Sequence, residues 1–209
     1  MNVIFFGVQG SGKGTQAKVV AKEMGLCHVS SGDLFRDLFK NGKGELKEEL
    51  QRIVNEGKLV DDYLTIKIIR ERIEKSDCKN GIIFDGFPRN FEQAELLNDV
   101  VRIDKVVEIM ISDEESLRRL GGRVGCEKCG AGYNLYTAPK PIDSRKCDKC
   151  GGKLLQRVDD NPESIKKRIK TYHDETEPVL EFYGDKVIGI DGERSIEEIS
   201  EEIIDKLND

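Results

Sequence analysis

The sequence predicts an α/β fold in which a parallel five-stranded sheet is flanked by helices and interrupted by two insertions. Three observations carry that reading. Short apolar runs suited to buried strands alternate with stretches of helical periodicity. A glycine-rich loop joins the first apolar run to the first helix. Between 121 and 160 the helical periodicity gives way to clustered glycine, proline and cysteine, which marks an inserted subdomain.

Along the chain, Val3 to Phe6 is a buried-strand candidate ending at the loop Gly7 to Gly14. A helix is expected from about Thr15 to Met24, with Gly25 as its stop. Cys27-His28-Val29 is a second short strand. Asp33 to Lys40 and Glu45 to Asn55 read as two short helices joined by Asn41 to Gly44. Between Asp61 and Ser76, Leu64, Ile68, Ile69 and Ile73 share one helical face. Ile82 to Phe84 is a strand ending at Asp85, and Val106 to Ile111 is another. Past the insertion, Asn161 serves as cap and Pro162 as first residue of a long helix. Val187 to Ile190 is the last strand, and Ile196, Ile199, Ile203 and Leu207 form the stripe of a closing helix.

A chain of 209 residues suffices for one well-buried core and is too short for two ordinary domains. With 35% charged and 37% hydrophobic residues it reads as a soluble globular protein. Its net charge of -6 is opposite to that of a sequence-independent nucleic-acid binder. No apolar run nears the roughly 20 residues that span a bilayer, and the N-terminus lacks the basic segment of a secretory signal. A cytoplasmic monomer with no membrane or nucleic-acid partner is expected.

The loop Gly7-Val8-Gln9-Gly10-Ser11-Gly12-Lys13-Gly14-Thr15 has the flanks and the lysine of a phosphate-binding loop, so the core is expected to be of the P-loop NTPase type. Its glycines let successive backbone N–H groups turn inward toward phosphate oxygens, and the following helix start adds partial positive charge. Lys13 supplies a mobile charge for a transferring phosphoryl group, and Thr15 a hydroxyl for phosphate or Mg²⁺. A nucleoside triphosphate is the implied ligand.

Cys126, Cys129, Cys147 and Cys150 form two Cys-x-x-Cys knuckles, each followed by a glycine, Gly130 or Gly151. That spacing points to tetrahedral Zn²⁺. Four thiolates fill its coordination sphere, so the metal is structural. Cys27 and Cys78 have no partner spacing and read as small buried residues or bystanders. His28 and His173, the two histidines, lie far apart and read as packing or surface residues.

Gly-Lys-Gly-Thr followed by Gln16 resembles the adenylate kinase branch of the nucleoside monophosphate kinases. Asp85-Gly86-Phe87-Pro88-Arg89 resembles that family's Asp-Gly-Phe-Pro-Arg signature, and Ser30-Ser31-Gly32-Asp33 with Arg36 its monophosphate-site entry. Gln93, Arg119, Arg123, Arg157 with Asp159-Asp160, and Arg168 fall in matching order. The resemblance implies a core (1–29, 61–122 and 161–209), a helical monophosphate-binding insertion (30–60) and a zinc-ribbon-like lid (123–160). It implies reversible phosphoryl transfer from Mg·ATP to AMP, giving two ADP.

Carried over by position, Gly10, Ser11, Gly12, Lys13, Gly14 and Thr15 would hold the ATP phosphates. Arg119, Tyr133 and Arg194 would contribute elsewhere to ATP, with Arg119 stacked on the base. Ser31, Gly32, Arg36, Gly86, Arg89 and Gln93 would hold AMP, together with the backbone from Lys58 to Val60. Gln93 would read the adenine edge, while Arg36 and Arg89 take the α-phosphate. Arg123, Arg157 and Arg168 would clamp the transferring group, and Asp85 would orient Mg²⁺ through water. Lid packing is the other reading of Tyr133.

The sequence departs from the family pattern at Val8, Gln9, Ser31 and Val124, where a small residue, Pro, Thr and a second Arg are common. Transfer to CMP, UMP or GMP is therefore the nearest alternative. A more distant one is a nucleotide-switched zinc-ribbon nucleic-acid binder, favoured only by the local lysines and arginines of the lid, such as Lys128, Lys146 and Lys149.

Overall fold

The computed structural model describes residues 1–42, 44, 47, 48, 50, 61–157 and 160–209. Its main sheet contains β1 (Asn2–Phe6), β2 (Cys27–Ser30), β3 (Ile82–Asp85), β4 (Lys105–Met110) and β8 (Val187–Asp191). All pairings are parallel and the order is β2-β3-β1-β4-β8. Side chains alternate between the faces of a strand, and β1 shows the consequence. Ile4 and Phe6 enter one core with Phe84, Val106, Ile69, Leu97 and Val179. Val3 and Phe5 enter the other with Ile83, Val107, Ala17, Val20 and Ile203. A sheet apolar on both faces needs a helical layer on each side. Full burial of each such side chain contributes roughly 2 kcal/mol.

Among the described residues the helices include α1 (Lys13–Met24), α2 (Ser31–Asn41), α3 (Asp62–Ile73), α4 (Phe91–Asn98), α5 (Asp113–Gly121), α6 (Pro162–Thr171), α7 (Val179–Tyr183) and α8 (Ile196–Asn208). Helix α1 starts two residues before the expected Thr15, because the left-handed Gly12 already serves as its N-cap. Gly25, also left-handed, ends it as expected. Asn161 caps α6 by accepting from the Ser164 N–H, with Pro162 at the first helical position. A five-residue π-helical turn, Tyr172–Thr176, follows α6. The expected helix over 45–55 lies largely outside the described residues.

The insertion after α5 folds as a separate small sheet. Its strands β5 (Arg123–Cys126), β6 (Gly132–Asn134) and β7 (Leu154–Gln156) pair antiparallel in the order β6-β5-β7. Among the described residues its core holds Val124, Cys126, Tyr133, Cys147 and Leu154, with Ala131 and Cys150 packed against them.

Cys27 and Cys78 are buried, as their sequence suggests, but they are not bystanders: they are disulfide-bonded, with their Cα atoms 4.9 Å apart. They lie 51 residues apart in sequence. Cys27 opens β2 and pairs with Ile82 of β3, while Cys78 lies in the turn leading into β3. Strand adjacency, invisible in the spacing, brings them together.

Ser195 closes a capping box at the start of α8, its side chain accepting from Glu198 N–H while the Glu198 carboxylate accepts from Ser195 N–H. Ser195→Ala is predicted to cost about 1 kcal/mol, read as a lower denaturation midpoint at unchanged m-value.

Candidate active site

The parallel register sets three strand ends side by side. Phe5 and Ser30 both pair with Asp85, so the segments leaving β1, β2 and β3 emerge along one edge of the sheet. Ligands of open parallel sheets bind at this edge. The β1 exit is the glycine loop, where Gly10 and Gly12 take φ of 90° and 93°, a region open to glycine. No side chain caps α1 and its first turn carries no acid, so the positive end of the helix is left for an anion. Gly14 is glycine for a steric reason: a Cβ there would come 3.0 Å from Asp85 Oδ2. The glycine between Lys13 and Thr15 therefore lets the Asp85 carboxylate lie against the start of the helix.

Lys13 Nζ donates to Val8 O at 3.3 Å. Burial, opposed by Asp85 and reinforced by Arg89, Arg123 and Arg168, lowers its pKa from 10.5 to about 8. One amine thus senses four of the residues nominated from the sequence. The Asp85 carboxyl is pushed up by burial but held below its ordinary range by His28 and Lys13. His28 Nε2 lies 3.4 Å from Asp85 Oδ2. Sequence reasoning passed over His28, and only its place on β2, next to β3, signals the contact.

Two of the arginines are held by one carboxylate. Asp160, with its side chain fully buried, accepts from Arg123 Nε at 2.7 Å and Nη2 at 2.6 Å, and from Arg168 Nη2 at 3.1 Å. Arg123 begins β5 and Arg168 sits near the end of α6, so Asp160 ties the lid to the core helix. Arg157 lies just after β7, and its carbonyl accepts from Asp160 N–H at 3.1 Å. Arg119 donates to Glu115 at 2.6 Å, to Ser11 O of the glycine loop at 3.4 Å and to Gly192 O at 2.9 Å.

The exits of β2 and β3 build the second half of the site. Ser31 Oγ donates to Gly86 O at 2.6 Å, and Arg89 Nε donates to the same carbonyl at 2.8 Å. Arg36 pairs with Asp33 at 2.5 Å, one turn along α2. Gln93, on the first turn of α4, is nearly buried and bonded at both ends of its amide, to Arg89 N–H and to Asp62. Asp62 was not nominated from the sequence, because nothing local links it to Gln93. Lys58 and Val60 lie outside the described residues.

In the lid, Gly130 and Gly151 take φ of 72° and 69°, and their N–H groups close the two knuckles onto Cys126 O and Cys147 O. The four sulfur atoms lie within 4.8 Å of one another, with Cys126 to Cys150 at 3.5 Å and Cys129 to Cys147 at 3.6 Å. Tetrahedral zinc with Zn–S bonds of about 2.3 Å sets its sulfurs about 3.8 Å apart, so the cluster has the donor type and size for that ion. Tyr133 is taken up here: its hydroxyl lies 3.5 Å from Cys147 Sγ, and that hydrogen bond leads the causes lowering the thiol to about 6. The side chain packs in the lid core, the alternative weighed for it above. Arg194 pairs with Glu202 and Asp191 beside the end of β8.

A parallel sheet with a phosphate loop after its first strand, a lysine in that loop and arginines converging on it define a P-loop nucleotide phosphotransferase. The family model of adenylate kinase matches residues 5–188. The chain is 41% identical to adenylate kinases of Staphylococcus epidermidis and Staphylococcus aureus, over all of this chain and 99% of theirs. The chain belongs to the adenylate kinase family, phosphotransferases that move a phosphoryl group from ATP to AMP. No helix among the described residues is long and apolar enough to cross a membrane.

The lowered Lys13 gives a pH prediction. In the empty site the amine loses its proton above pH about 8, and polyphosphate oxygens beside it restore the charge. ATP binding at pH 8 to 9 should therefore take up protons, seen by calorimetry in buffers of different ionisation enthalpy, and affinity should fall as pH rises through that window. The unfolded chain holds this proton up to about 10.5, so the penalty on folding is fully present below pH 8 and fades as pH rises. Lys13→Met should thus raise the melting temperature of the nucleotide-free protein at pH 7 and abolish the proton uptake. Unchanged uptake in that variant would contradict the assignment.

Proposed function

We propose that Gly10 to Thr15 hold the ATP phosphates and that Ser31, Gly32, Arg36, Gly86, Arg89 and Gln93 hold AMP, with the backbone from Lys58 to Val60 completing that side. The observation that carries this reading is the placing of the glycine loop, Asp85 and the Ser31 and Arg89 segment at one sheet edge, with Arg123 and Arg168 held together by Asp160. Phosphoryl transfer asks little covalent help of the protein and much alignment and charge neutralisation. Here the terminal phosphoryl group leaves the β-phosphate of ATP for an α-phosphate oxygen of AMP, and two ADP result. Lys13 and Arg123, Arg157 and Arg168 stabilise the charge on the moving group, and paired N–H groups suit arginine to that task. Arg119 and Arg194 border the ATP base and ribose side, and Tyr133 contributes through its place in the lid.

Mg²⁺, when bound with ATP, neutralises charge on the phosphate oxygens. Asp85 suits such an ion through water, since its carboxylate is held ionised at the mouth of the glycine loop. The proposed units are a core (1–29, 61–122, 161–209), the monophosphate-binding insertion (30–60) and the lid (123–160). Closure of the lid over the loop excludes water as a competing acceptor. We propose that the lid cysteines hold structural Zn²⁺, because its few apolar residues make a core too small to fold alone. We place the protein in the cytoplasm as a monomer acting on ATP, AMP and ADP without nucleic acid.

Purified protein given Mg·ATP and AMP should form ADP faster than with CMP, UMP or GMP. Lys13→Met should slow it by roughly a hundredfold or more, as for loss of a transition-state charge. No transfer to any monophosphate from folded, zinc-loaded protein would sink this reading. Zinc removal by a chelator should unfold the lid at a lower temperature than the core. A single melting transition at the same temperature before and after chelation would argue against the structural metal.

A further inference from the structure

We infer that Asp62 is a specificity-determining residue: it fixes the sense of the Gln93 amide and so makes the acceptor site select a 6-amino over a 6-oxo purine. This rests on the proposed role of Gln93 as reader of the acceptor base. A glutamine amide offers a donor end and an acceptor end, and a half-turn about its last bond exchanges them. Left free, it can complement either kind of purine edge. The adenine edge presents a donor at the 6-amino group and an acceptor at N1. In a 6-oxo purine both are reversed, with an acceptor at O6 and a donor at N1.

In this site the amide is not free. Gln93 Nε2 donates to Asp62 Oδ1 at 2.6 Å. Gln93 Oε1 accepts from the backbone N–H of Arg89 at 2.8 Å. A carboxylate only accepts and a backbone N–H only donates, so each contact separately dictates the same sense. A flipped amide would set oxygen against carboxylate oxygen and N–H against N–H, at both ends of a nearly buried group.

Asp62 is itself held in place. Its other oxygen accepts from Asn90 Nδ2 at 2.9 Å, and Asn90 Oδ1 in turn accepts from Gln93 N–H at 2.8 Å. The three residues close a ring, Gln93 entering it through both its backbone N–H and its side chain, that joins the first residue of α3 to the cap and first turn of α4. One donor and one acceptor position of the amide stay available, in a fixed order that matches adenine and rejects its 6-oxo counterpart. Asp62 makes no claim on the phosphates; it acts through Gln93, as a positioning residue.

Asp62→Asn tests this with little change of shape. Asparagine at 62 can still accept from Asn90 while turning its own NH₂ toward Gln93, which favours the flipped amide there and conflicts with Arg89 N–H at the other end. The measurement is kcat/KM for AMP and for inosine monophosphate, which differ only at positions 1 and 6 of the base. The expected result is that the AMP-to-IMP preference falls tenfold or more in Asp62→Asn. Equal losses for both substrates, or an unchanged ratio, overturn the inference and leave Asp62 a structural role only. Should Asp62→Asn fail to fold, as judged by circular dichroism, Asp62→Ser is read on the same ratio. Gln93→Leu separates the two levels. If it leaves the ratio at the wild-type value, Gln93 is not the base reader and both readings fall; if it collapses the ratio while Asp62→Asn does not, only the role of Asp62 falls.

Discussion

Like charges brought close together repel, and this fold must hold Lys13, Arg89, Arg123 and Arg168 near one another. The strain registers on Lys13, whose proton affinity falls through burial and through those three guanidinium groups. Two carboxylates make the arrangement tolerable. Asp85 lies beside the loop and opposes the loss of the Lys13 proton, while Asp160 binds Arg123 and Arg168 at once. Both are buried enough that their hydrogen bonds fix direction as well as charge. A polyanion entering this site replaces repulsion among cations by attraction, which is the sense in which the site is organised before its ligand arrives.

The same carboxylates connect chemistry to architecture. Asp85 reaches the start of α1 because glycine at 14 leaves room, and because β3 is the neighbour of β1. Asp160 lies one residue ahead of the α6 cap and reaches across to the first residue of β5. That single ion-pair cluster links the lid to the helix carrying Arg168. The position of Arg123 on the small sheet and that of Arg168 on α6 are therefore fixed by one carboxylate. Thr176 adds another tie, since its hydroxyl donates to Arg89 O at 2.7 Å from the π-helical turn after α6.

The lid solves a different problem. A three-stranded sheet with a handful of buried apolar groups cannot match the two packed faces of the main sheet. Its cysteines contribute to packing: Cys126 and Cys147 are themselves core residues, and the Tyr133 hydroxyl reaches Cys147 from β6. The four-cysteine cluster thus lies at the centre of this small sheet's core rather than at its edge.

The sequence by itself determined whatever depends on neighbours along the chain. The unbroken apolar run of β1 announced a sheet covered on both faces, and the glycine pattern with Lys13 announced the phosphate loop. The Asn161-Pro162 helix start and the two cysteine knuckles were equally legible, because a turn, a cap or a knuckle is built within a few residues. Gln93, Arg36 and Arg89 were legible as types and spacings. Their bonding was not. The ring joining Asp62, Asn90 and Gln93, the grip of Asp160 on Arg123, the approach of His28 to Asp85 and the pairing of Cys27 with Cys78 were decided only by tertiary structure. Each joins elements roughly 30 to 60 residues apart in the chain, and the strand order β2-β3-β1-β4-β8 sets His28 beside Asp85 and Cys27 beside the turn that carries Cys78. Local geometry can be written in a local pattern, whereas a contact across the fold exists only once the strands have been ordered beside one another.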